Sequence, residues 1–339
     1  MNELTVWEKV FYLENCEEEA FVKMCSLNTE WRDLCYHSDQ SERIFRTRSE
    51  NRISEEIRTF KPSDMTWKEF YIRIYQFQKK PLSVVHYCKD GNLLEIRLLA
   101  NMNPPLLPTT DQVDLASSYG HLDVLKYLNS LGILPTSEGA DGAAGNGFLE
   151  VVKYLVSLGI YPTETGLEFA ASHGFLEVVK YLVSLGILPI MYAVNSAAQH
   201  NHLDTLQYLV SLGDTPAIEE EEMDELARKG YVDTLKYLGS LGRIPTSKGA
   251  DYAAENGHLE TLKYLISINV LPSSHGANLA AENGHLEVLQ YLVSVGIPPT
   301  REGTNFVARK RHNEIAEYLI AIGIRQPYST SPRRHIFGL

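Results

Sequence analysis

The sequence predicts an all-α protein, a helical-repeat solenoid preceded by a small helical N-terminal domain. A tyrosine recurs every 27 residues, with a single interval of 29 between Tyr208 and Tyr237, and near-identical segments surround each copy. All three tryptophans lie before the first repeat, so the composition changes there. We assign residues 1–80 to the N-terminal domain, 81–324 to nine repeats, and 325–339 to a tail rich in Pro, Ser and Arg that is expected to be mobile.

Composition and charge exclude several classes of protein. The chain has 339 residues, 44% of them hydrophobic, which is enough to bury a core. Its net charge of −12 argues against binding a phosphate backbone, so no nucleic-acid partner is expected. The first residues show no pattern of a signal peptide, and no stretch approaches 18 consecutive apolar residues. A cytoplasmic monomer that does not bind membranes is therefore expected.

The four cysteines predict neither a metal site nor a cofactor site. Cys16, Cys25, Cys35 and Cys88 form no Cys-x-x-Cys pair, which makes zinc binding unexpected. Four reduced, buried thiols are expected, as in cytosolic proteins.

Each repeat is predicted to contain two short helices. The second, "FLEVVKYLVSL" in residues 148–158, is apolar on more than one side, which is typical of a helix between two neighbours. The first is centred on a pair of small residues such as Ala143 and Ala144. A glycine such as Gly147 is expected to end it in a left-handed conformation. A repeat of this size cannot bury its apolar faces alone, so stacking is required.

No motif in the repeats predicts catalysis. The glycines of "GADGAAGNG" are spaced GxxGxxGxG with no preceding strand, so they do not match a nucleotide-binding fingerprint. One histidine column contains His121, His202, His258, His285 and His312. Its members are too far apart to share a zinc ion, because packed helices lie about 8–10 Å apart. The acidic run Glu219–Glu225 suits a helix start, or alternatively a basic partner. The tyrosine column is interpreted as a packing ladder, or alternatively as a binding stripe.

These columns resemble ankyrin repeats, whose usual pattern is TPLHxAAxxGHxxVVxxLL over 33 residues. The segment "KGADYAAENGHLETLKYLIS" carries the pattern in phase. The 27-residue length implies that the hairpin between repeats is largely missing, as in ankyrin proteins of large DNA viruses that infect amoebae. The histidine of TPLH is replaced by a column of acidic or amide residues: Asp114, Asp141, Glu168, Asn195, Asp224, Asp251, Asn278 and Asn305.

The ankyrin resemblance implies a protein partner on the inner surface, where the two residues after the small pair vary from repeat to repeat. The alternative explanation for this variation is unconstrained sequence drift at exposed positions. The candidate partner-binding residues are Ser118, Tyr119, Asn146, Ser172, His173, Gln199, His200, Arg228, Lys229, Glu255, Asn256, Glu282, Asn283, Arg309 and Lys310.

The N-terminal domain resembles an F-box in its later half, through Phe21–Val22, Ser26–Leu27, Trp31–Arg32 and Leu34. The resemblance implies binding to a Skp-family adaptor of a cullin–RING ubiquitin ligase, with the repeats recruiting a substrate. The alternative is a domain that only caps the solenoid. The residues assigned to adaptor binding are Val10, Phe11, Leu13, Phe21, Leu27, Trp31 and Leu34.

Overall fold

A computed structural model describes residues 6–27, 29–38, 40–79, 83–188, 191–213, 216–301, 303, 307 and 312–324. These residues form 23 helices and contain no strand, which confirms the predicted all-α class. The chain divides into two compact units, Met1–Gly166 and Leu167–Leu339. The predicted tail lies outside the described residues.

The first unit begins with six helices. They are α1 (Val6–Asn15), α2 (Glu18–Leu27), α3 (Thr29–Tyr36), α4 (Gln40–Arg52), α5 (Glu55–Arg58) and α6 (Trp67–Lys79). The first helix pairs of the solenoid follow: α7 (Val84–Asp90) with α8 (Leu93–Ala100), α9 (Thr110–Ser118) with α10 (Leu122–Ser130), and α11 (Ser137–Gly145) with α12 (Leu149–Ser157). The boundary between the two units falls within α13 (Glu164–Ser172).

The second unit continues the same alternation of helices. It contains α14 (Leu176–Ser184), α15 (Met191–Gln199), α16 (Leu203–Ser211), α17 (Glu220–Lys229), α18 (Val232–Ser240), α19 (Ser247–Glu255), α20 (Leu259–Ser267), α21 (Ser274–Asn283), α22 (Leu286–Ser294) and α23 (Asn313–Ala321). In each repeat the first helix has an odd number, from α7 to α21, and the second helix has an even number, from α8 to α22.

The core of the repeats is built as the sequence pattern predicts. Ala143 and Ala144 of α11 are fully buried, since small side chains let neighbouring first helices pack closely. Val152 and Leu155 of α12 are fully buried as well. Gly147 has φ of +80°, the left-handed conformation that glycine adopts without a Cβ penalty.

The long 29-residue repeat keeps its second helix at full length. Six residues separate α10 from α11, whereas eight separate α16 from α17, and α18 retains nine residues. The two extra residues are therefore in the loop before α17. Glu219 caps α17, and the Glu222 carboxylate accepts a hydrogen bond from the Glu219 amide at 3.0 Å, which confirms the acidic run as a helix start.

The core of the N-terminal helices is continuous with the first repeat. Trp31 and Phe45 are buried in one apolar cluster that also contains Leu94 and Leu98 of α8. Arg73 of α6 forms an ion pair with Glu95 of α8, with one nitrogen–oxygen distance of 2.6 Å. These contacts explain why the compact first unit includes both the N-terminal helices and the first repeats.

The expectation of four reduced thiols is wrong for one pair. Cys25 of α2 and Cys35 of α3 form a disulfide, with their Cα atoms 5.8 Å apart. Helices α2 and α3 pack against each other and bring these positions together, although ten residues separate them in sequence. Cys16 and Cys88 are free, and burial raises the pKa of the Cys88 thiol to about 11.

Candidate protein-binding surface

An acidic side chain of one repeat caps the first helix of the next. Asp141 Oδ1 accepts the Thr163 backbone N–H at 2.6 Å, and its Oδ2 accepts the Thr163 hydroxyl at 2.7 Å. The Thr163 hydroxyl in turn accepts the N–H of Thr165 at the start of α13. The same arrangement joins Asp114 to Thr136, Asp224 to Thr246, and Asp251 to Ser273, and Asn278 bonds similarly to Thr300. The acidic column therefore holds repeats together.

This cap also explains why glycine recurs at the third position of the first helices, as at Gly139 in the stretch compared with a nucleotide-binding loop. A Cβ atom added at Gly249 would lie 2.6 Å from Asp224 Oδ1, and one added at Gly276 would lie 2.5 Å from Asp251 Oδ1. Only a glycine lets the helix approach the carboxylate this closely. The glycines are structural, as the sequence analysis predicted.

The histidine column is structural as well. The ring of His121 packs over Gly91, and its Nε2 lies 2.7 Å from the Lys89 carbonyl oxygen. His312 makes the equivalent bond to the Glu282 carbonyl at 3.0 Å. Partial burial lowers the pKa of His202. No group of three potential metal ligands occurs among the residues that the structure describes.

Tyrosines of the column form hydrogen bonds with the second helix of the preceding repeat. Tyr154 accepts a hydrogen bond from the Asn129 amide at 3.1 Å, and the Tyr264 hydroxyl donates to the Leu235 carbonyl at 3.3 Å. Both rings are half-buried. These contacts support the packing ladder.

The variable pairs predicted to bind a partner are only partly exposed to solvent. In six described pairs the first residue is half-buried and the second is exposed beside it: Tyr119, His173, His200, Lys229, Asn256 and Asn283. The first residues are Ser118, Ser172, Gln199, Arg228, Glu255 and Glu282. Exposed Asn146 follows Gly145, which is buried. Arg309 and Lys310 lie outside the described residues.

Some of these side chains are held by the backbone. Asn146 Nδ2 donates to the Ser118 carbonyl of the preceding repeat at 2.9 Å, and Asn283 donates to the Glu255 carbonyl at 3.0 Å. Lys229 donates to the Gln199 carbonyl at 3.3 Å. Packing therefore accounts for part of this column, which sequence alone did not reveal.

The first turn of the first helices was not among the predicted binding positions, although its side chains are exposed in every described repeat from α11 to α21. The residues are Ser137, Glu138, Glu164, Thr165, Met191, Tyr192, Glu220, Glu221, Ser247, Lys248, Ser274 and His275. We call these residues, together with the exposed second residues of the variable pairs, the first-helix face, and each of the two units carries its own part of it. The signal was present in the sequence, since these positions vary between repeats while the neighbouring Thr and Gly positions recur.

A cavity of about 470 Å³ lies between α17 and α19 on this face. Glu220, Glu221 and Glu225 line it on one side and Lys248 on the other. The Arg228 guanidinium stacks 3.8 Å from the centre of the Tyr252 ring, and its Nε is 3.3 Å from the Glu225 carboxylate. The cavity is therefore predominantly acidic.

Five of the seven residues assigned to adaptor binding are buried. Val10 and Leu13 are fully buried, and Phe21, Trp31 and Leu34 belong to the same apolar cluster. The side chains of Phe11 and Leu27 are not among those that the structure describes. The helices turn these five side chains inward, so in this structure they form no exposed apolar surface for an adaptor.

Comparison with known proteins finds similarity to ankyrin repeats in two segments. The family model described as "Ankyrin repeats (3 copies)" matches residues 142–220, and the model described as "Ankyrin repeats (many copies)" matches residues 250–293. These two segments are similar to ankyrin repeats, as the sequence resemblance implied. Both matched segments lie outside residues 1–80.

The solved structures that resemble the chain are distant in sequence. The human ASB11 ankyrin repeat domain is 15% identical, with a TM-score of 0.45, covering 56% of this chain and 99% of that chain. The pentatricopeptide repeat protein PPR10 in complex with an 18-nucleotide psaJ RNA element is 13% identical, with a TM-score of 0.38, covering 95% of this chain. PPR10 from maize is 12% identical, with a TM-score of 0.35, covering 96% of this chain. The chain spans about half the length of the PPR10 chains, covering 53% and 55% of them.

No curated protein matches the chain. Among the helices that the structure describes, none has the length and apolar character needed to cross a membrane.

Proposed function

We propose that this protein binds a protein partner through its first-helix face and that the N-terminal domain caps the solenoid. The proposal rests on one observation, which is the difference between the recurring positions of the repeats and the variable ones. The Asp, Thr, Gly and Ala columns are accounted for by contacts within and between repeats, whereas the first-turn positions are exposed and differ from repeat to repeat. Variable exposed positions on a repeating frame are what a binding surface requires.

Charge reversals on opposite faces of one repeat test this proposal. Lys248→Glu alters the first turn of α19, whereas Lys263→Glu alters the exposed outer side of α20, where Lys263 pairs with Glu260 at 2.7 Å. Partners captured from a cell lysate by the wild-type chain are identified by mass spectrometry and retested with purified proteins. Loss of binding with Lys248→Glu and not with Lys263→Glu supports the first-helix face, and the reverse pattern contradicts it.

The cap is supported by the shared core of the N-terminal helices and α8. Leu94 and Leu98 would be exposed without that domain. Among the described side chains of residues 9–79, Val22 is the only large hydrophobic group that is exposed. An F-box-like domain that binds a Skp-family adaptor needs an apolar contact surface.

The ubiquitin-ligase adaptor is the competing hypothesis for this domain. A cap predicts that the purified chain does not bind a Skp-family adaptor in size-exclusion chromatography with both proteins at about ten micromolar. Co-elution that is abolished by Val22→Asp, with unchanged circular dichroism, would favour the adaptor function instead.

A further inference from the structure

One repeat exposes apolar side chains at positions that are polar in the others. Met191 and Tyr192 in the first turn of α15 are 50% and 63% exposed, and Leu188 before them is 73% exposed. The equivalent pairs in α11, α13, α17, α19 and α21 contain only Ser, Glu, Thr, Lys and His. Since five repeats pack with polar residues there, the stack does not require Met191 and Tyr192 to be apolar.

The next repeat places carboxylates beside this apolar surface. Glu220 and Glu221 of α17 occupy the positions of Met191 and Tyr192, are exposed, and have no ion-pair or hydrogen-bond partner for their side chains within the described residues. Helices α15 and α17 are in contact, because Gln199 donates to the Glu222 carboxylate at 2.6 Å. We call Leu188, Met191, Tyr192, Glu220 and Glu221 the mixed site.

The mixed site fits an extended segment with an apolar and a basic side chain at a fixed spacing. Packed helices are about 8–10 Å apart, and an extended chain advances about 3.3 Å per residue. A segment that runs along the stack therefore crosses one repeat in about three residues. Its apolar group would contact Met191 and Tyr192, and a Lys or Arg three residues away would lie at Glu220 and Glu221.

The tail of this chain has that pattern. Arg334 precedes Phe337 by three residues, and Arg333 precedes Ile336 by three. Residues 325–339 contain three arginines and no Asp or Glu, in a chain whose net charge is −12. Pro327 and Pro332 favour an extended backbone in the residues before them. Charge and spacing both match the mixed site.

The length of the tail is sufficient to reach the site. The described part of the last repeat ends at Ile324, three repeats beyond α17. Three helix spacings are about 30 Å, and the ten residues from Arg325 to Arg334 span at most about 35 Å when extended. The tail can therefore place Arg334 at Glu220 and Phe337 at Met191 within the same molecule.

We propose that the tail, Arg325–Leu339, binds the mixed site of its own chain and covers part of the first-helix face. The tail would then compete with a protein partner for that face. Only this competition rests on the proposed function, because binding of the tail itself can be measured without any partner.

A peptide experiment tests the proposal. A fluorescein-labelled peptide of residues 328–339 is titrated with the chain ending at Ile324, and with the full chain, by fluorescence anisotropy. We expect saturable binding to the shortened chain, and at least 10-fold weaker binding to the full chain, because the attached tail acts at millimolar effective concentration.

Matched variants locate the binding site. In the shortened chain, Glu220→Lys with Glu221→Lys, and separately Met191→Ser with Tyr192→Ser, should each weaken peptide binding at least 10-fold. Glu287→Lys, an exposed charge reversal on α22, should leave it unchanged. A peptide with Arg333, Arg334, Ile336 and Phe337 replaced by Ser should not bind.

Three results would overturn the proposal. They are no binding of the peptide to the shortened chain, equal binding to the shortened and full chains, and binding that survives both sets of variants. Equal binding would mean that a separate molecule with the same chemistry is the occupant. A partner that depends on Lys248 while the peptide fails to bind would preserve the proposed function and reject the tail.

Discussion

The Asp224 carboxylate of one repeat holds the Thr246 backbone and side chain of the next. Its Oδ1 accepts the Thr246 N–H at 2.7 Å, and its Oδ2 accepts the Thr246 hydroxyl at 2.6 Å. Asp224 is buried, so water does not replace these bonds easily. The pair therefore joins two successive repeats, and the Thr246 hydroxyl accepts the Lys248 N–H at the start of α19.

Asp224→Ala should therefore destabilise the second unit. Removing the carboxylate leaves the Thr246 N–H and hydroxyl without acceptors, which costs about 1–3 kcal/mol. Urea unfolding followed by circular dichroism measures the loss as a lower midpoint. Glu260→Ala, which removes an exposed carboxylate from α20, is the control and should change stability by less than about 0.5 kcal/mol. An unchanged midpoint for Asp224→Ala would contradict the role of the pair.

Gly249→Ala should also be destabilising, although alanine favours helices. In an open helix the change would stabilise by about 1 kcal/mol. Here the new Cβ would lie 2.6 Å from Asp224 Oδ1 and 3.0 Å from the Pro245 side chain, so α19 must shift. The loss should be smaller in an Asp224→Ala background, where the clashing oxygen is gone. Equal losses in both backgrounds would show that the carboxylate is not the obstacle.

The sequence predicted the repeats well because their period, caps and small pairs are local patterns. Gly147 and Ala143 illustrate this, since each has the conformation or burial that its position in the repeat indicates. The roles of Asp224 and Asn146 could not be predicted in the same way. Their partners are 22 and 28 residues away, in a neighbouring repeat, and only the stacking geometry identifies them.

The N-terminal domain was predicted least well. Helical spacing places Val10 and Leu13 on an apolar side of α1 but does not say whether that side faces solvent or a core. The disulfide between Cys25 and Cys35 depends on the packing of α2 against α3, which no local motif indicated. Among candidate site residues, exposed Met191 and Tyr192 were overlooked because the sequence analysis followed the position after the small pair.

Leu94→Ala should destabilise the N-terminal domain and the first repeat together. Leu94 lies in α8 but is buried in the apolar cluster of the N-terminal helices, and truncating a buried leucine costs about 2–5 kcal/mol. Hydrogen exchange measured by mass spectrometry should show faster exchange in both α3 and α8. Leu131→Ala, at an exposed leucine after α10, is the control and should have little effect. Faster exchange in α8 alone would argue against a shared core.

Tyr71 should make the stability of the N-terminal domain depend on alkaline pH. The Tyr71 hydroxyl donates to the Glu18 carboxylate at 2.6 Å, and the buried Arg48 donates to the same hydroxyl at 3.3 Å. Burial, more than the neighbouring carboxylate, raises the pKa of Tyr71 from its ordinary value near 10 to about 12.

The sign of the effect follows from the raised pKa. Below pH 10 the hydroxyl keeps its proton in both the folded and the unfolded chain, and its contribution to stability is complete. Between pH 10 and about 12 the unfolded chain releases the proton while the folded chain retains it, so stability falls as pH rises.

Tyr71→Phe has no such proton and should lose less stability over this window, despite being less stable at pH 8. Urea unfolding followed by tryptophan fluorescence reports on this domain, because all three tryptophans lie within residues 1–80. Parallel losses of stability from pH 9.5 to 12 in the wild type and in Tyr71→Phe would refute the assignment to Tyr71.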